Sequence, residues 1–176
     1  QTLAFYNAIA NGGVMVKPQL VKEIRHTGET IQVIQPEILS TSIVKNKETI
    51  ALARELLEGV VEHGTATHLR NPYYKIAGKT GTAQIAQNNA GYNKSNYKAS
   101  FAGYFPADNP RYSMIVVINN PRKGVYYGGS IAGPVFREVA DKVFATRIEV
   151  PVPAADTVPC IYPLLASGKG DELEML

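Results

Sequence analysis

The densest chemistry in the chain is Lys79-Thr80-Gly81-Thr82, inside the run Lys75-Ile-Ala-Gly-Lys-Thr-Gly-Thr-Ala-Gln84. An ammonium, two hydroxyls and a glycine on consecutive positions make a compact means of holding an anion against accessible backbone. Lys-Thr-Gly alone is a weak signal, equally compatible with a polar edge strand entering a turn. A phosphate-binding loop is excluded. That loop needs an earlier glycine where Tyr73 stands, directly after Pro72. Gly81 would also be a poor second residue for the helix whose N-terminus should hold the phosphate. The apolar run Met114 to Ile118 ends in Asn119, where a Mg²⁺-holding Asp would be required.

If the run is a strand, Thr80 and Thr82 share a face and Lys79 points the other way. Lys79 then reaches a common cleft only through strand twist or the length of its side chain. His26, His63 and His68 share no metal-ligand spacing and read as surface or capping residues. The lone Cys160 excludes an internal disulfide and any Cys-based metal site. No cofactor and no metal are expected.

The elements that must position these residues come from a chain of 176 residues, 45% hydrophobic and 19% charged, enough for one ordinary core. The net charge of +3 is mild and its lysines and arginines are scattered, which argues against a nucleic-acid partner. No apolar run is long enough to span a bilayer, and the residues given carry no signal-peptide pattern. The chain opens at Gln1 within a helical pattern and closes at Leu176 within another, as expected of a piece of a longer protein.

Leu3, Phe5, Tyr6, Ile9 and Ala10 form a helical stripe stopped by Asn11-Gly12-Gly13. Val14 to Ile24 is extended and interrupted by Pro18, Thr27-Gly28-Glu29 is a turn, and Ile31 to Ile34 returns as the second arm of a hairpin. Asn46 caps a helix from Lys47 to about His63, with Ile50, Ala53, Leu56, Leu57, Val60 and Val61 on its core face. A central strand from Lys75 to Ile85 leads into an Asn-rich polar loop, Gln87 to Lys98. Strands Ala99 to Phe105 and Tyr112 to Asn119 follow, joined by the breaker turn Pro106 to Arg111. Continuous apolarity over Met114 to Ile118 predicts a strand covered on both faces. The loop Gly124 to Gly129 opens a helix over Ser130 to Ala145, with Pro134 in its first turn and a core stripe of Val135, Phe136, Val139, Ala140, Val143 and Phe144. The expected fold class is α+β, an antiparallel sheet with packed helices. Residues 148–176, broken by Pro151, Pro153, Pro159 and Pro163, read as a linker or tail leading toward a further small module.

The run Lys75 to Gln84, followed by Ala99-Ser-Phe-Ala-Gly-Tyr-Phe-Pro106 and Asp108-Asn-Pro-Arg-Tyr-Ser113, closely resembles the C-terminal part of class B penicillin-binding proteins. Phe5 to Gly13, Leu57 to Thr65 and Ala132 to Phe136 are similar to the same family, in the same order. The likeness covers about residues 1–145, and its tone is nearest to the cell-division transpeptidases. It implies a partial penicillin-binding-protein or serine β-lactamase-like fold over 1–147. It also implies a reaction in which a serine attacks the D-Ala-D-Ala end of a peptidoglycan stem peptide and an amine of a second stem resolves the acyl-enzyme, with β-lactams stalling at the acyl stage. Under it, Lys79 supplies positive potential and assists a serine-lysine proton relay. Thr80 and Thr82 bind the substrate carboxylate, the Thr82 backbone N–H is an oxyanion donor, and Gly81 permits close approach.

That chemistry also needs Ser-x-x-Lys and Ser-x-Asn boxes. No Ser-x-Asn string occurs. The strings Ser42-Ile-Val-Lys45 and Ser95-Asn-Tyr-Lys98 are misplaced, since the family's nucleophile lies much farther upstream of Lys-Thr-Gly. The nucleophile is therefore expected on chain before Gln1, with the isolated segment inactive. Expected partners are stem peptide, β-lactams, the N-terminal remainder of the chain and cell-division proteins, at the extracytoplasmic face of the cytoplasmic membrane under an N-terminal anchor. The competing readings are a related serine β-lactamase or D,D-carboxypeptidase, and a non-catalytic muropeptide- or partner-binding module on the same scaffold.

Overall fold

A three-stranded antiparallel sheet forms because three apolar-rich segments lie close in sequence around one tight turn. The structure, a computed structural model, describes residues 1–86, 92–122 and 124–147. The segment 148–176, with Cys160 and the expected terminal helix, lies outside the described residues, as does the start of the expected polar loop at Gln87. In chain order the elements are α1 (Thr2–Ala10), β1 (Met15–Val16), β2 (Glu23–His26), β3 (Glu29–Val33), β4 (Ile38–Ser40) and α2 (Lys47–Glu62). A 3₁₀ turn (Thr67–Leu69) then leads to β5 (Ala77–Ala86), β6 (Tyr92–Phe105), β7 (Tyr112–Asn119) and α3 (Gly128–Arg147). The sheet order is β5-β6-β7. The expected α+β class, an antiparallel sheet with helices packed on it, is the observed one.

Register sorts the sheet into two faces, because partners across an antiparallel ladder share a side. Thr80 pairs with Phe101 and Val116 follows it across the sheet. On that face Phe101 and Phe105 meet Phe136 and Ala140 of α3, with Leu69 and Val61 closing the core. On the opposite face Ala77 and Tyr104 meet Ile9 of α1 and Ala53 and Leu57 of α2. Separately, β1 pairs with β4, and β2 pairs with β3 as the expected hairpin. Its turn uses Thr27 at φ 48° and Gly28 at φ 91°, the paired left-handed geometry that matches strand twist.

The Asn46 side chain accepts from Glu48 N at 2.9 Å, so α2 begins where its cap predicts. Leu56, expected on the core face of α2, is 64% exposed; the inward stripe is narrower than apolar content suggests. Val135 and Val139 are likewise exposed, one column away from the Phe136–Ala140 line that packs. Pro134 is not in the first turn of α3, because the helix opens at Gly128, before the expected Ser130, and encloses the proline. The Ser130 carbonyl is what loses its helical donor there.

The Asn-rich stretch departs furthest from the expected loop. β6 starts at Tyr92, and β5 pairs along it to Ala86 opposite Tyr92, past an irregularity between Gln84 and Ala86. Residues 92–98 are therefore strand, Ser95 among them, because a ready partner strand overrides their weak intrinsic preference. β7 is not covered on both faces: Val117 is 45% exposed. The sheet ends at β7 among the described residues, so its face toward α1 is covered only in part.

Candidate active site

Lys79, Thr80, Gly81 and Thr82 all lie on β5, which has β6 on one side and no strand on the other among the described residues. Lys79 and Thr82 are exposed, Thr80 and Gly81 half-buried. The cross-strand partners are Ala102, Phe101, Ser100 and Ala99 respectively. This register puts the two threonines on the α3 face and Lys79 on the other, as strand parity requires.

The reach of Lys79 comes from its side chain, which wraps the strand to its own neighbour. Its Nζ donates to Thr80 O at 2.9 Å and to Thr80 Oγ1 at 3.3 Å. An ammonium that touches both the carbonyl and a side chain of the opposite face has come round the unpaired edge. The backbone groups of Thr80 therefore face that edge, and by strand alternation those of Thr82 do as well. The open edge thus offers an ammonium, two hydroxyls and backbone N–H groups in a row, a set that suits an anionic, extended ligand.

The hydroxyls are held from outside the strand. Thr65 Oγ1 lies 3.2 Å from Thr80 Oγ1, and Gly128 N donates to Thr82 Oγ1 at 3.1 Å. His68 Nε2 lies 2.8 Å from Gly129 O, and Arg137 NH1 donates to His68 O at 3.1 Å. His68 is thereby a strut between the 3₁₀ turn and α3. The room that a Cβ on Gly81 would need is filled by Ser100 Oγ, 2.5 Å from its ideal position. Thr65, Ser100, Gly128 and Gly129 are the site neighbours that residue chemistry alone does not single out. Their only sequence signal is their place within or beside the stretches that carry the family likeness.

Of the two Ser-x-x-Lys strings, the first is held by its own local backbone and the second falls within a strand. Ser42 Oγ donates to Val44 O at 2.5 Å in the turn that precedes α2, and Ser95 lies in β6. Among the described residues no group of three or more His, Cys, Asp or Glu side chains could hold a metal ion. No helix among them is long and apolar enough to cross a membrane.

A phenol network braces the approach to β5. Tyr74 Oη donates to Asp141 Oδ1 at 2.6 Å, and Asn71 Nδ2 donates to the same oxygen at 2.7 Å. Burial, and then the neighbouring Asp141 carboxylate, push the Tyr74 phenol well above its ordinary range. Lys75 Nζ meets Glu58 Oε1 at 2.5 Å, tying α2 to the residues just before β5, and this bond raises the lysine pKa.

Residues 1–141 match the family model described as the penicillin binding protein transpeptidase domain. Stage V sporulation protein D of Bacillus subtilis is 34% identical over 137 residues, covering 77% of this chain and 21% of its own. A peptidoglycan D,D-transpeptidase FtsI homolog of Mesostigma viride is 30% identical over 153 residues, covering 81% and 26%. The chain thus spans about a fifth to a quarter of the length of these curated relatives. Among solved structures, apo penicillin binding protein 3 from Mycobacterium tuberculosis superposes with a TM-score of 0.68 at 31% identity, covering 81% of this chain and 34% of that one. The same protein complexed with ampicillin gives a TM-score of 0.68 at 30% identity, covering 86% and 36%, and it has also been solved with aztreonam.

Proposed function

Because the chain belongs to the penicillin-binding protein transpeptidase family, we propose that it is the C-terminal part of a peptidoglycan D,D-transpeptidase and that the open edge of β5 is one wall of its acylation site. The observation that carries this reading is the edge itself: Lys79 wraps it to Thr80, and the hydroxyl of Thr82 is fixed beside it. A D-Ala-D-Ala terminus is an extended chain ending in a carboxylate, and it fits such an edge as an added strand.

In the proposed reaction a serine on chain outside this segment gives its proton to a base and its oxygen bonds to the carbonyl carbon of the penultimate D-Ala. The C–N bond to the terminal D-Ala breaks, D-Ala leaves as the protonated amine, and a serine ester remains. An amine of a neighbouring stem then attacks the ester, which forms the cross-link and frees the serine. Lys79 supplies positive potential at the nucleophile and helps the proton relay. Thr80 and Thr82 hydrogen-bond the terminal carboxylate, and Gly81 keeps the rim free of a side chain. The N–H of Thr82 is one of two donors to the oxyanion, a contact whose loss costs about 3–4 kcal/mol in comparable enzymes. β-Lactams enter the same wall as mimics of the dipeptide, supported by the relative solved with ampicillin and aztreonam. Stem peptide is assembled into wall outside the cytoplasmic membrane, so the site faces the extracytoplasmic side. The division-type role and contacts with division proteins belong to the same proposal and rest on the FtsI-named relatives.

Labelling with a fluorescent penicillin tests the reading. The longer protein that contains this chain forms a stable, slowly hydrolysed adduct, and the isolated segment forms none. Stable labelling of the segment at one of its own serines would place the nucleophile here and overturn the division of labour. Fast hydrolysis of the adduct would instead identify a β-lactamase. Lys79→Ala in the longer protein strongly slows acylation, and an unchanged rate removes Lys79 from the mechanism.

A further inference from the structure

Two glycines seat α3 against the strand that carries the threonines. A Cβ on Gly128 would collide with the carbonyl oxygens of Ser100 and Gly81 and stand 3.0 Å from Ser100 N. All three are backbone atoms of a paired ladder, which cannot yield as a flexible side chain would. Gly128 is not among the glycines with positive φ, namely Gly12, Gly13, Gly28 and Gly124. Closeness, not conformation, is what demands glycine there. A Cβ on Gly129 would be 3.2 Å from both Thr65 O and Thr80 Cγ2, a milder crowding.

The seat has a chemical consequence. Gly128 N–H belongs to the first turn of α3, where backbone donors have no partner within the helix. It donates instead to Thr82 Oγ1. With its oxygen accepting, the Thr82 hydroxyl has its own hydrogen left to give, and the open edge of β5 is where that hydrogen can find an acceptor. The positive end of the helix dipole lies behind it and strengthens donation toward an anion.

We propose that Gly128 is a positioning residue for the ligand carboxylate: by letting α3 rest on Gly81 and Ser100, it fixes the Thr82 hydroxyl as a donor aimed along the open edge. Gly129 supports the same seat against Thr65 and Thr80. This rests on the reading of β5 as the carboxylate-binding wall.

The test compares acylation of the longer protein by benzylpenicillin and by its methyl ester, which lacks the anionic carboxylate. The wild-type protein prefers the acid. Gly128→Ala lowers that preference about tenfold, the scale of one hydrogen bond to a charged group. Gly129→Ala lowers it less, in the same direction. In a Thr82→Val background, where the preference is already reduced, Gly128→Ala lowers it no further. Thermal midpoints of all variants are measured alongside. A Gly128→Ala protein that reacts equally more slowly with acid and ester, whatever its thermal midpoint, shows packing alone and overturns the proposal. Should Gly128→Ala not fold, Gly129→Ala reads the same preference, and an unchanged preference there is equally fatal. A wild-type protein acylated by neither compound overturns the wall reading itself, a distinct failure.

Discussion

Thr80 is touched by two groups of different character. Lys79 Nζ can only donate, so its 3.3 Å contact makes Thr80 Oγ1 an acceptor. Thr65 Oγ1, at 3.2 Å, can give or take a hydrogen and so limits where the Thr80 hydroxyl can turn. Thr65→Val keeps the shape and removes that limit. Under the proposed function, acylation of the longer protein by fluorescent penicillin is expected to slow about threefold to tenfold, the scale of one ordinary hydrogen bond, and Thr65→Ser to restore it. An unchanged rate in Thr65→Val would show that Lys79 alone orients Thr80. The tetrapeptide Lys79 to Thr82 was legible because its chemistry sits on adjacent positions and strand parity sorts its faces. Thr65, Gly128 and Gly129 were not legible, because only tertiary approach brings them to β5. A threonine after a helix and a glycine pair before another have ordinary local explanations. The way Lys79 reaches the edge was also open in the sequence, since parity states a direction and not the path of a flexible side chain.

Helices are legible in the sequence where local rules and burial agree. The Asn46 cap, the Ile50–Ala53–Leu57–Val61 line and the glycine pair after α1 each act within a few residues of their effect. Asn46→Ala is expected to destabilise the protein by about 1 kcal/mol, seen as a lower denaturant midpoint with unchanged slope. Asn46→Asp keeps the acceptor and retains most of that stability. The first half of β6 was not legible, because Asn-rich polar sequence has no preference of its own for extended structure. Its pairing is decided by β5, and two-strand pairing carries residues that would form a loop alone. Tyr97 shows what the pairing supports: it stacks on Tyr126 at 4.1 Å between ring centroids and accepts from Gln84 Nε2 at 3.2 Å. The buried helix faces are narrower than the apolar pattern for a related reason. Leu56, Val135 and Val139 are apolar, but a helix on a small sheet buries only the column that faces it.

At the scale of the molecule, two cores meet through a sheet whose inner strand, β6, supplies Phe101 and Phe105 to one side and Tyr104 to the other. The Tyr104 hydroxyl is buried with no partner at hydrogen-bond geometry among the described residues; the Arg54 guanidinium lies close enough to oppose the rise in its pKa but donates to Ala107 O at 3.2 Å. Tyr104→Phe removes an unsatisfied polar group without leaving a cavity, and it is expected to stabilise the protein by about 1 kcal/mol. Burial raises the pKa of Tyr104 and is the first cause of the rise at Tyr74, where the Asp141 carboxylate adds to it. The folded state therefore holds these protons more tightly than the unfolded chain, in which a tyrosine ionises near its ordinary value of 10.0. Stability from this source is fully present below about pH 10 and is lost as the pH rises above it, because the unfolded chain releases its protons first. Tyr74→Phe should weaken the protein modestly at neutral pH, since Asp141 Oδ1 loses one of its two close donors, Asn71 remaining at 2.7 Å. The same change should flatten the alkaline fall in urea midpoint, because the group responsible for much of it is gone. Parallel alkaline slopes for wild type and Tyr74→Phe would mean that Tyr74 does not carry this dependence and that the bracing of β5 by Asp141 is insensitive to the phenol.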